Sequence, residues 1–190
     1  DPTFAPLTNL WGYDPVKETL LTNPSEEEIK TCLSLIGFEN LSLLSRGRVK
    51  KKNPALQVDM SGSVKGEIID QICSVLGRWG LKNYRVEFGR ETRAHGRGRG
   101  GKGWIAKLED EQSSNSGEFE RVFLRNYSMA TSDTCLSINP ITGTSPKFFK
   151  LLDPRTGRPV KHDLIAVHAF APMARDADAW ATALMVLGPE

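Results

Sequence analysis

Asp178 and Thr182 stand four residues apart in the run Asp176-Ala177-Asp178-Ala179-Trp180-Ala181-Thr182-Ala183-Leu184. At that spacing a carboxylate and a hydroxyl project from one face of a helix. The alanines at 177, 179, 181 and 183 let another backbone or a ligand approach closely, so that only the oxygen-bearing side chains protrude. Hard oxygen donors of this kind suit magnesium, which takes few protein ligands and completes its shell with water and phosphate. A backbone carbonyl from the Gly62 region would complete the protein ligands and leave room for a diphosphate, with Lys65 near the same anion. The chemistry this raises is a metal-assisted phosphate chemistry. Taken alone the pair is a weak signal, since a helical Thr often bonds back to its own carbonyls.

Two other segments carry possible chemistry. Asp153-Pro154-Arg155-Thr156-Gly157 reads as a turn, in which Asp bonds forward to the backbone, Pro fixes φ and Gly relaxes the exit. Gly96-Arg97-Gly98-Arg99-Gly100-Gly101-Lys102-Gly103 nearly spells a phosphate loop. However, Gly103 stands where a metal-binding hydroxyl belongs, and Trp104 opens a strand rather than a helix, which removes the amides and dipole that cradle phosphate. The run also resembles an Arg/Gly RNA-binding tract, but it contains no aromatic residue. A flexible hairpin tip is the simplest reading.

The elements that must position these groups follow from periodicity and punctuation. Ser25 and Glu28 form a capping box for a first helix, with Ile29, Leu33 and Ile36 on its apolar face and Gly37 as its stop. Arg48 to Pro54 reads as a solvated turn between two short strands, the second being Leu56 to Asp59. Gly62 to Gly66 leads into a second helix whose stripe is Ile68, Ile69, Ile72, Leu76 and Trp79, closed by Gly80. Strands are expected at Tyr84–Phe88, Trp104–Leu108, Arg121–Arg125 and Leu164–Phe170, and a final helix near Ala174. Hairpins mixed with helices predict an α+β domain.

Composition narrows the classes. At 190 residues, 39% apolar and 25% charged, the chain suits one soluble globular domain. A net charge of +2 gives no electrostatic argument for nucleic acid, and no apolar run reaches membrane-spanning length. Cys32, Cys73 and Cys135 are widely spaced and form no Cys-x-x-Cys pair, which favours a reducing, cytoplasmic compartment over a disulfide framework. The start at Asp1-Pro2-Thr3 has neither Met nor signal peptide, and reads as a fragment or processed product.

Five ordered blocks resemble the ApbE family of magnesium-dependent FAD:protein FMN transferases. They are Asp1-Pro2-Thr3-Phe4-Ala5-Pro6-Leu7 with Leu10-Trp11-Gly12; Val58-Asp59-Met60-Ser61-Gly62-Ser63-Val64-Lys65-Gly66 with Asp70; Ala130-Thr131-Ser132, where the family has a turn; Leu152 to Val160; and Ala177 to Leu184. The resemblance implies one ApbE-like (T-fold-like) domain over residues 1–190, with a mixed, largely antiparallel sheet and packed helices. It also implies that the family's N-terminal portion and short C-terminal tail lie outside this sequence. The reaction implied is cleavage of FAD at its diphosphate, release of AMP, and attachment of FMN to a Ser or Thr hydroxyl of a target flavoprotein. Asp178, Thr182 and the Gly62 carbonyl are then the expected magnesium ligands, and Asp1, Asp59, Lys65 and Leu152 the expected FAD contacts.

Three departures from the family pattern accompany the likeness. Lys150 stands where the family has a His proposed as the base for the acceptor hydroxyl. A lysine near its usual pKa of about 10.4 is a poor base at neutral pH unless burial lowers that value. Lys150 is thus the expected catalytic position, with a weakened FAD-binding or FAD-hydrolysing relative as the alternative reading. Glu87 and Arg90 replace the family's Asn and Gly, and Asp133 replaces the Gly after Ala-Thr-Ser, which is expected to narrow a flavin pocket.

Overall fold

The computed structural model describes residues 1–14, 19–20, 22–108, 120–133 and 151–189. They fall into two compact units, Asp1–Met60 with Leu136–His162 and Ser61–Cys135 with Asp163–Glu190.

The first unit begins with α1 (Ala5–Trp11), which ends at Gly12 in the left-handed region (φ 61°). The ribbon β1 (Tyr13–Asp14) with β2 (Thr19–Leu20) follows, and then α2 (Glu26–Leu33). The expected capping box is present: the Glu28 amide donates to Ser25 Oγ at 3.3 Å, and the Ser25 amide to Glu28 Oε2 at 2.8 Å. A hairpin of β3 (Leu41–Leu43) and β4 (Val49–Lys51) comes next. Lys50 and Lys51 of the lysine run therefore lie in a strand, and the turn of the hairpin is Ser45–Gly47. Residues 56–59, expected as a strand, make no ladder: Leu56 is sunk into the unit, and the Asp59 amide donates to the Pro2 carbonyl at 2.8 Å. Leu7, Trp11, Ile29, Cys32 and Leu152 form the core. Trp11 donates from Nε1 to the Gly157 carbonyl at 2.8 Å, which ties α1 to the later turn.

The second unit is layered. Helix α3 (Ser61–Arg78) and strands β5 (Tyr84–Phe88), β6 (Glu91–His95), β7 (Trp104–Leu108), β8 (Glu120–Leu124) and β9 (Tyr127–Asp133) precede the short ribbon β10 (Leu152–Asp153) and β11 (Arg158–Pro159), which belongs to the first unit. Strand β12 (Ala166–Ala171) and helix α4 (Ala174–Leu187) complete the second unit. Its sheet has the order β12-β9-β6-β5, and every described ladder in the chain is antiparallel. On one face α4 packs through Ala177 and Ala181 onto Ala130, Ala169 and Ala171, and α3 packs through Ile69 and Cys73 near Ala174, Tyr84 and Val86. On the other face the β7–β8 ribbon covers Ala94 and Met129 with Ala106 and Leu124. This is the expected α+β architecture with a largely antiparallel sheet.

Four further local expectations need correction. Helix α3 begins at Ser61, so Gly62–Gly66 lies inside its first turns rather than in a loop before it. Its buried stripe is Gly66, Ile69, Asp70 and Cys73, while Ile68, Ile72 and Trp79 are exposed, because the face that meets α4 is the one carrying Gly66, where a Cβ would clash with Ala174, and Asp70, which bonds the start of α4. Ala130-Thr131-Ser132 is the middle of a central strand, not a turn. The glycine-rich run 96–103 has no helix behind it, as expected. It is not a hairpin tip, however, because it joins two strands that pair with different partners.

Candidate functional site

The crossing of α3 and α4 brings together residues more than 100 positions apart. Gly66 donates its amide to Asp178 Oδ2 at 2.9 Å, in a buried bond between helices. In an α-helix that amide points at the carbonyl four residues earlier, which here belongs to Gly62. Asp178 thus competes for the donor that would otherwise be committed to the Gly62 carbonyl. A side chain at Gly62 would meet Thr182, with a Cβ 3.5 Å from Thr182 Oγ1, so this hydroxyl lies beside the start of α3. A Cβ at Gly66 would sit 2.4 Å from the Ala174 carbonyl oxygen; only glycine admits this approach. All three expected metal ligands, Gly62, Asp178 and Thr182, therefore converge within the second unit.

The donor set fits magnesium. Asp178 is 4% exposed, and its Oδ1 has no hydrogen-bond partner among the described residues. Among the described residues no group of three or more His, Cys, Asp and Glu side chains gathers as a metal site. What the crossing offers is a carboxylate, a hydroxyl and a backbone carbonyl, the hard oxygen donors that magnesium accepts alongside water and phosphate.

Helix α4 is itself held in place by Asp70. Its N-cap residue, Met173, supplies no side-chain cap. Instead Asp70 Oδ1 accepts from the Ala174 amide at 3.0 Å and Oδ2 from the Arg175 amide at 3.1 Å, satisfying two of the helix's free donors from the neighbouring helix. Arg93 of β6 donates to the same carboxylate at 2.5 Å. Asp70 thus fixes the helix that carries Asp178 and Thr182.

Lys65, one turn into α3, donates from Nζ to Glu91 Oε1 at 2.5 Å. Glu91 is 1% exposed, and burial pushes its carboxyl above the usual carboxylate range, with the Asp178 charge acting the same way and the Lys65 ammonium opposing both. Sequence reasoning passed over Glu91. The positions of β6 that face the helices are Glu91, Arg93 and His95, an all-polar register that alternation assigns to solvent.

The remaining expected residues lie elsewhere. Asp1 and Asp59 belong to the first unit. Asp1 Oδ1 accepts from the Thr3 amide and hydroxyl, both at 2.8 Å, and the Asp59–Pro2 backbone bond draws the two segments together. Asp59 also lines an open groove of about 630 Å³ with Lys51, Asn9 and Gln57. Leu152 sits in that unit's core, so its side chain is committed to packing. Lys150 lies outside the described residues.

Each of the charged departures has an ion-pair partner. Arg90 forms an ion pair with Asp133, and Arg85 with Glu87 at 2.8 Å. Both arginines and Glu87 line a cavity of about 350 Å³ with Gly89, Thr92 and Thr131, on the sheet face away from α3 and α4. Thr131 Oγ1 lies 2.8 Å from His168 Nδ1 on the same face.

Comparison with known proteins agrees with this geometry. The ApbE family matches residues 1–190. The FAD:protein FMN transferase of Escherichia coli (strain K12) is 30% identical over 193 residues, covering 100% of this chain and 54% of that protein. The FAD:protein FMN transferase of Vibrio cholerae is 32% identical over 190 residues, covering 100% of this chain and 56% of its own length. The apo crystal structure of the Pseudomonas stutzeri flavinyl transferase ApbE superposes with a TM-score of 0.81 at 33% identity, covering 100% of this chain and 56% of that one. The chain therefore spans about half the length of the curated relatives it matches, at 54% and 56%. The family match takes in the whole of that span, residues 1–190, and the chain belongs to the ApbE family.

Proposed function

We propose that this protein transfers FMN from FAD to a Ser or Thr hydroxyl of a target flavoprotein, with magnesium required and AMP released. The observation that carries the reading is the α3–α4 crossing, where Asp178 reaches Gly66 and Thr182 lies against Gly62, in a chain of the ApbE family. The names of the relatives, FAD:protein FMN transferases, support the same reaction.

In the second unit Asp178, Thr182 and the Gly62 carbonyl are the residues that would hold magnesium. Bound there, the ion would neutralise diphosphate charge as the phosphoryl group moves. Lys65 supplies a fixed cation for a phosphate oxygen. In the first unit Asp1, Asp59 and Leu152 are the proposed FAD contacts, Leu152 through its backbone. The acceptor hydroxyl oxygen forms a bond to the FMN phosphorus and the bond from that phosphorus to the bridging oxygen breaks. AMP leaves with the electron pair, and the hydroxyl proton passes to a base. Lys150 is the proposed position of that base. Residues 1–190 are proposed to act as one flavin-transferase domain. No described helix is long and apolar enough to cross a membrane.

The test incubates the protein with FAD, magnesium and a flavoprotein carrying an Asp-x-x-Ser/Thr-Gly-Ala-Thr segment, and follows the acceptor's mass. A gain of one FMN that requires magnesium is expected. AMP and free FMN without an adduct would overturn transfer in favour of FAD hydrolysis.

A further inference from the structure

Glu91 opens β6 on the face that meets the helices, opposite Ala130 in the ladder. Oε1 accepts from Lys65, whereas the buried Oε2 has no hydrogen-bond partner among the described residues. A buried ion pair is weak evidence for stability, because desolvation offsets its Coulomb attraction, and a buried acceptor without a donor is unfavourable as well. Stability alone therefore does not account for this carboxylate.

Position does. A lysine side chain is rich in rotamers, and an unheld ammonium would sweep through solvent. Lys65 is 40% exposed at its side chain, yet its Nζ is fixed from below by a carboxylate anchored in a central strand. Lys65 lies on α3 three residues after Gly62, which meets Thr182, and immediately before Gly66, which meets Asp178. Glu91, Asp178 and Lys65 carry two formal negative charges and one positive. An ammonium has three N–H donors, so the bond from Lys65 to Glu91 leaves others for an anion.

We propose that Glu91 is a positioning residue that holds the Lys65 ammonium for the diphosphate of the flavin nucleotide. This rests on the FMN-transfer reading, and the test separates the two. Glu91→Gln keeps the volume and removes the charge, and Lys65→Met removes the ammonium. Dissociation constants for FAD and for inorganic pyrophosphate, each with magnesium, are measured in the intact protein, in both single variants and in the double variant. Thermal midpoints and the magnesium concentration for half-maximal binding are followed alongside.

Each single variant is expected to weaken both ligands about tenfold, with the double no weaker than Lys65→Met alone, as for residues acting through one contact. The magnesium requirement should not move in Glu91→Gln, which separates positioning from metal ligation. In ligand-free protein, carbon relaxation at Lys65 Cε should report a rigid side chain that becomes mobile in Glu91→Gln. Additive losses in the double variant, or equal Lys65 mobility with and without the Glu91 charge, would overturn the inference. Pyrophosphate binding that depends on both residues, with no FAD binding, would leave it standing and overturn the flavin reading. A wild-type protein that binds neither ligand would overturn both.

Discussion

Asp178 and Asp153 are both buried, at 4% and 7% exposure, yet their carboxylates are satisfied in opposite ways. Asp153 is closed by its own neighbour. Arg155 donates its amide to Oδ1 at 2.8 Å, and its guanidinium reaches Oδ1 at 2.9 Å and Oδ2 at 2.8 Å. Asp178 takes one bond, from an amide 112 residues away, and keeps Oδ1 uncommitted among the described residues. A carboxylate saturated within its own turn is a structural part. One held by a single long-range bond, beside a hydroxyl and a contested carbonyl, has capacity left for a ligand.

The largest effect should come from the open carboxylate. Asp178→Ala is expected to lower the rate of FMN transfer about a thousandfold, or roughly 4 kcal/mol of barrier, while leaving the protein folded. The Gly66 amide it releases can return to the Gly62 carbonyl, so little stability should be lost. Initial rates of adduct formation, with thermal midpoints as control, check this. Transfer at the wild-type rate would remove the crossing from the reaction and dissolve the contrast with Asp153.

A middle-sized effect tests the closeness of the crossing itself. Gly66→Ala has two opposed consequences. Alanine gains about 1 kcal/mol of helix propensity over glycine. The new methyl, however, would lie 2.4 Å from the Ala174 carbonyl oxygen and 2.6 Å from Arg175 Cα, both backbone atoms that cannot rotate aside. Overpacking of this kind typically costs 1–3 kcal/mol or more, so the clash wins. A lower urea midpoint with unchanged m-value is expected. A more stable variant would mean that the helices do not cross at this distance.

Local chemistry was legible in the amino-acid sequence to the extent that its partners are local. The Ser25–Glu28 capping box and the turn from Asp153 to Gly157 are made by residues two to four positions apart, and both stand as expected. The strands Tyr84–Phe88 and Trp104–Leu108 keep their expected bounds. Errors arise where a distant partner decides. Residues 56–59 alternate like a strand, but the Asp59 amide is taken up by the Pro2 carbonyl and the Leu56 amide by that of Asn53. The apolar stripe expected on α3 is largely exposed, because contact with α4 selects Gly66 and Asp70 over Ile68 and Ile72. Asp70 does not announce itself as the cap of a helix that begins 104 residues later. The grouping of Gly62, Asp178 and Thr182 was suggested by the family likeness, whereas Glu91 was hidden by a polar alternation that reads as a solvent face.

The smallest effect probes the closed carboxylate, through pH. Arg155, hydrogen-bonded to Asp153, holds that carboxyl below the usual carboxylate range against the opposing push of burial. A folded-state value below the unfolded one, near 3.9, means that the interaction contributes fully at pH above that unfolded value. It is lost as the pH falls through the lower folded value. Asn at this position can still accept from the Arg155 amide through its own carbonyl oxygen, so Asp153→Asn keeps the turn and removes only the charge. The Arg155 side chain is 59% exposed, so solvent screening limits the cost to under about 1 kcal/mol. Urea unfolding of wild type and variant should differ by that amount at neutral pH, less at high salt, and not at all once the pH is well below 3.9. A deficit that persists undiminished in acid would show that the Arg155 pairing is not its source. Asp153 would then be tied to partners beyond its own turn, as Asp178 is.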